Sequence, residues 1–61
     1  MSLADVRFAA RCEKVHKQAA GNWSNGRVVK VWKDKSNILC IAYESGNWWH
    51  YRSIGNGIEW W

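Results

Sequence analysis

The chain has no proline, only two cysteines and no long apolar run, and each scarcity excludes something. No proline-rich linker, low-complexity tract or internal repeat of diagnostic period appears, so the 61 residues read as a single small domain. Two cysteines are too few for the disulfide framework of a small secreted domain, and no apolar leader precedes them. They are expected as free thiols in a reducing, cytoplasmic setting. No stretch approaches the roughly 18 apolar residues of a membrane span, which argues against a membrane partner. The five glycines all fall where turns are expected, which leaves none for a phosphate-cradling loop. Acidic residues number five against nine basic ones, a formal charge of +4 that favours anionic partners. Asp34, Glu44 and Glu59 sit at separate hairpin ends, which disfavours a paired-carboxylate site.

What the chain has in abundance is tryptophan, six in all. A domain this short buries only about 60% of the surface its unfolded form exposes, and each aromatic side chain can bury roughly 150–250 Å². Some of the six must therefore build the core while others stay at the surface. A contiguous exposed aromatic patch marks a binding or self-association surface.

The pattern predicts an α+β fold, one N-terminal helix packed on a three- to four-stranded antiparallel β-meander. The helix is expected over residues 3–20, with Ser2 as cap and Asp5 in the first turn, and with Ala4, Phe8, Cys12, Val15 and Ala19 as a narrow apolar stripe facing the sheet. Leu3, Val6 and Ala10 form a second apolar patch that this packing leaves exposed. Residues 21–26 form a connector in which Trp23 covers one edge of the core. Strands are expected over 27–33, 37–44, 47–53 and 58–61, joined by two-residue turns at Asp34-Lys35, Ser45-Gly46 and Asn56-Gly57. These registers put Val29, Val31, Ile38, Cys40, Ala42, Trp49, Tyr51 and Trp60 on the face under the helix. The opposite face then carries Val28, Lys30, Trp32, Leu39, Ile41, Tyr43, Trp48, His50, Arg52 and Trp61.

Cys12, His16, Cys40 and His50 are the right residue types for a zinc site. The predicted registers, however, place Cys40 and His50 on opposite faces, so neither a metal nor another cofactor is expected, and His16 is expected to be solvated. No Cys/His pair has an evident orienting third residue, and enzymatic activity is not expected. The candidate site is the mixed face, with Lys30, Trp32, Tyr43, Trp48, His50, Arg52 and Trp61 as partner-binding residues. Val28, Leu39 and Ile41 on that face suggest a second hydrophobic layer covered by a protein partner or by a second copy, which is the leading expectation. Single-stranded nucleic acid is the alternative, with bases stacked on the rings and phosphates met by the cations.

The segment Ser45-Gly46-Asn47-Trp48-Trp49-His50-Tyr51-Arg52 also resembles the tryptophan-bearing strand that follows a turn in small SH3-like barrels. The resemblance spans about one hairpin. It implies that Trp48 or Tyr43 would hold a proline-rich or other extended peptide. The leading helix, and a chain running only to Trp61, depart from the five-stranded barrel pattern.

Overall fold

Ser2 starts helix α1 (Leu3–Ala20) through a capping box. Its Oγ accepts from Asp5 N at 3.1 Å while the Asp5 carboxylate accepts from Ser2 N at 3.2 Å, satisfying two of the donors that a helix start leaves unpaired. Gly21, at φ +73°, ends the helix by donating its N–H to Lys17 O. The computed structural model describes residues 1–61 and continues with β1 (Val28–Lys33), β2 (Leu39–Tyr43), β3 (Trp48–Ile54) and β4 (Gly57–Trp60). The four strands form one open antiparallel sheet in the order β1-β2-β3-β4, with α1 against one face. This is the α+β meander expected from the sequence. No helix is long and apolar enough to cross a membrane.

The turns differ from the expected ones, and the difference reorganises the faces. Asp34 pairs with Ile38, its N–H donating to Ile38 O, and the intervening loop has three residues ending in Asn37 at φ +64°. Asp34 Oδ1 holds this loop by accepting from Ser36 N at 2.8 Å and Ile38 N at 3.0 Å. The β2–β3 turn repeats the design: Tyr43 N donates to Asn47 O, Gly46 N donates to Tyr43 O, and Gly46 sits at φ +93°. Each loop shifts its pairing by an odd number of residues, so β2 alone is inverted relative to its neighbours. Leu39, Ile41 and Tyr43 point under the helix, and Cys40 and Ala42 point outward, the reverse of the expectation. The β3–β4 turn is Gly55-Asn56 rather than Asn56-Gly57, with Gly55 at φ +49°. That slip is even, so Trp60 still faces inward and Trp61 outward. In β1 the register breaks between Val28 and Lys30. Val29 is left 62% exposed while Val28 packs on the core, again opposite to expectation.

The core under α1 consists of Ala9, Cys12, Leu39, Ile41, Tyr43, Tyr51 and Ile58, flanked by Phe8, Val15, Trp23, Val28, Val31, Trp49 and Trp60. Complete burial of a side chain such as Ile41 stabilises the fold by about 1.5–3 kcal/mol. The buried helix stripe is Ala9, Cys12 and His16, whereas Ala4 and Ala19 are exposed. His16 is therefore interior rather than solvated. Its ring lies 4.4 Å from Trp60, nearly parallel, and meets Trp49 at 4.7 Å and Trp23 at 4.8 Å edge-on. Its Nδ1 is 2.7 Å from Tyr51 Oη, and Tyr51 Oη is 2.8 Å from Tyr43 Oη, so the interior polar groups satisfy one another. Trp23 packs edge-on over Tyr43 and donates its indole N–H to Gly26 O at 2.8 Å, acting as the lid its sequence position suggested.

Candidate functional site

Because β2 presents only Cys40 and Ala42 outward, the middle of the outer face is low, and larger side chains from β1 and β3 lean over it. The rings of Trp32 and Trp48 meet across β2 at 5.4 Å between centroids. Trp48 and His50, two residues apart on β3 and hence on one face, are 5.0 Å apart. His50 then stacks on Trp61 at 5.0 Å with only 7° between the planes. Lys30 Nζ lies 5.1 Å from the Trp32 ring, and the Arg52 guanidinium lies 5.5 Å from the Trp61 ring, both within cation–π reach. The contacts thus run in series from Lys30 through Trp32, Trp48, His50 and Trp61 to Arg52, a row of rings with a cation at each end. Arg52 also donates to Glu59 Oε1 at 2.7 Å, which orients the guanidinium while offsetting part of its charge.

Six of the seven residues expected on this face are there: Lys30, Trp32, Trp48, His50, Arg52 and Trp61. Tyr43 is not; at 1% exposure it belongs to the core, because β2 is inverted. The same inversion removes Leu39 and Ile41, and the break in β1 removes Val28. The aliphatic layer that had suggested a covered second core is therefore absent from the outer face. Trp48 and Trp61 remain about half exposed, at 50% and 51%.

The inversion also brings together side chains that the expected registers kept apart. Cys40 and His50 are direct cross-strand partners on the outer face, correcting their expected separation. Asp34, at the head of the β1–β2 loop, reaches the same point, with Oδ2 3.7 Å from His50 Nε2. One ligand atom from each of Asp34, Cys40 and His50 lies within 4.8 Å of the other two. Burial, and then the Asp34 charge, push the Cys40 thiol above its ordinary pKa. Cys12 and His16, the other two residues of the four-residue zinc combination, lie under the helix on the opposite side of the sheet. Burial pushes the Cys12 thiol up to about 11, with the Arg11 charge offsetting part of the rise.

No protein-family model, curated protein or solved structure matches the chain, so what the face does must be argued from its geometry.

Proposed function

We propose that the domain is a non-enzymatic binding module whose outer sheet face takes single-stranded nucleic acid. Bases stack on the half-exposed rings of Trp48 and Trp61, and phosphates meet Lys30 and Arg52. The observation that carries this is the uninterrupted row of rings flanked by cations, on a face that holds no buried aliphatic layer of its own. A protein contact is the second reading. It draws on the exposed Leu3, Val6 and Val29 and on the apolar groove between α1 and β1 lined by Met1, Val6, Ala10, Val28 and Val31. We place the module in a reducing cytoplasm, on the ground that both cysteines are unbridged and buried.

Titration of the protein with single-stranded DNA and RNA, followed by tryptophan fluorescence over a range of salt concentrations, tests the first reading. If Lys30 and Arg52 each meet one phosphate, the logarithm of the affinity falls against that of salt with a slope of about −1.4. Trp48→Ala then weakens binding by roughly 1–3 kcal/mol without changing the mass in solution. If fluorescence ignores nucleic acid and the protein is a dimer, conversion to a monomer by Val6→Asp makes the groove between α1 and β1 the contact between copies, and conversion by Trp48→Ala makes it the outer face. A monomer indifferent to nucleic acid sinks both outcomes and leaves an extended peptide as the ligand to try.

A further inference from the structure

We propose that Asp34, Cys40 and His50 bind a zinc ion, with Asp34 Oδ2, Cys40 Sγ and His50 Nε2 as ligands and water in the fourth position. The inference does not depend on what the aromatic face binds. A thiolate, an imidazole nitrogen and a carboxylate form a donor set suited to this borderline-soft cation, and three protein ligands plus water complete a tetrahedron.

The orientation of each group supports the assignment. His50 Nδ1 lies 3.3 Å from the main-chain O of Trp61, which can only accept, so in the neutral ring a proton held on Nδ1 leaves the lone pair on Nε2, the atom 3.7 Å from Asp34 Oδ2, where a cation between them would be met from both sides. That is the arrangement in which a ligating histidine is fixed by donating its other ring N–H to a carbonyl. The imidazole is further held flat against Trp61. Asp34 Oδ1 is occupied by Ser36 N and Ile38 N, which fixes the carboxylate and leaves Oδ2 for the ion. Cys40 is anchored in the central strand β2, with Sγ 3.6 Å from Ile38 O as its only polar contact.

Bond lengths of about 2.0–2.3 Å place tetrahedral ligand atoms roughly 3.5 Å apart. Asp34 Oδ2 and His50 Nε2 already stand 3.7 Å apart, and one ligand atom from each of the three residues lies within 4.8 Å of the other two, so closure requires movement of about 1 Å. On binding, the thiol proton that now points to Ile38 O leaves to solvent, and the thiolate bonds the metal. The same geometry disfavours a nucleophilic triad. A triad needs the acid and the thiol on different ring nitrogens, whereas here Nδ1 is committed to Trp61 O.

The test is a titration of chelator-treated full-length protein with cobalt(II), followed by displacement with zinc. The expected result is one equivalent of cobalt giving a thiolate-to-metal charge-transfer band, which zinc then bleaches in equal proportion. Cys12→Ser leaves the band, Cys40→Ser removes it, and His50→Gln or Asp34→Asn weakens binding by more than roughly 100-fold, the upper end of what loss of an outer partner costs. Asp34→Asn keeps an oxygen to accept from Ser36 N and Ile38 N, so its effect reports the lost carboxylate and not the loop. On the unmodified chain, zinc should shift the His50 Nε2 nitrogen resonance and leave the His16 ring unmoved. Absence of the charge-transfer band overturns the proposal, as does a band that survives Cys40→Ser or a zinc shift that appears on His16 instead.

Discussion

The two faces of the sheet use the same residue types to opposite ends. Each face sets one histidine among tryptophans: His16 with Trp23, Trp49 and Trp60 beneath the helix, and His50 with Trp48 and Trp61 outside. On the inner face most of the rings around His16 meet it edge-on, α1 closes over them, and the polar atoms of His16, Tyr51 and Tyr43 bond to one another. On the outer face the rings lie in series, two of them are half exposed, and the cations at the ends point to solvent-side chemistry. Composition alone does not separate core from surface in such a chain. What separates them is whether an element lies on top and whether the polar edges find partners within the fold.

Adjacent residues on β3 give the sharpest break between the faces. Trp49 points under the helix and Trp48 away from it, so Trp49→Ala should destabilise by about 3–5 kcal/mol. Trp48→Ala should cost only about 1 kcal/mol, the scale of an exposed aromatic pair. Denaturant unfolding of the two variants checks the difference, and equal losses would mean that the outer row is a second core.

The next largest effect lies in the inner polar chain. Tyr51→Phe removes the hydroxyl shared by His16 Nδ1 and Tyr43 Oη, and leaving buried partners unpaired should cost about 1–3 kcal/mol. Tyr43→Phe removes a terminal hydroxyl and should cost less, about 0.5–1.5 kcal/mol. The order of the two unfolding midpoints tests whether Tyr51 is the centre of the chain.

A smaller effect is set by pH. Burial holds His16 below its ordinary pKa of 6.5, while burial and the Tyr43 hydroxyl keep Tyr51 neutral by raising its pKa. Folded His16 therefore resists a proton that the unfolded chain accepts. Its contribution is complete above 6.5 and is lost as pH falls below that value toward the folded pKa. The loss can be no steeper than about 1.4 kcal/mol per pH unit for one proton. Unfolding midpoints compared between pH 7 and pH 5 for the unmodified chain and His16→Gln should show a flatter profile in the variant. The Glu13–Lys17 pair beside it, at 2.7 Å, is present in both.

The smallest effect belongs to the outer rim. Arg52→Ala breaks an exposed pair with Glu59 and should change stability by under about 1 kcal/mol. If the face binds single strands, the same change reduces the salt slope by about 0.7, which separates a binding role from a structural one.

Much of this architecture was legible in the sequence. The helix limits, the number of strands and the faces of Trp49, Trp60, Trp48 and Trp61 follow from apolar periodicity and from Gly and Asn at the turns. The face of β2 was not legible from periodicity, because Ile38-Leu39-Cys40-Ile41-Ala42-Tyr43 is apolar throughout and either parity buries hydrophobic side chains. Two signals were available. The larger residues of the run, Leu39, Ile41 and Tyr43, are the ones a core needs, and Asn37 and Gly46 each suit the positive φ that closes a three-residue loop. The convergence of Asp34, Cys40 and His50 depended on that parity and was hidden with it. His16 was missed because a histidine near a helix end reads as solvated; its position four residues after Cys12 on the buried stripe was the clue.

An open meander leaves two unpaired edges, and an unpaired edge is a template on which another chain can add a strand and begin to aggregate. β1, with the sequence Val28-Val29-Lys30-Val31-Trp32-Lys33, has the β-branched and aromatic character of an adhesive edge. Proline, a common means of blunting such an edge, is absent from the chain. The register break at Val29 and the charges of Lys30 and Lys33 take its place: the break interrupts the flat ladder that an incoming strand would extend, and Lys33 is tied back to Asp5 at 2.9 Å. An irregularity that looks like a fault in the pairing thus helps to keep a tryptophan-rich sheet from growing beyond its own four strands.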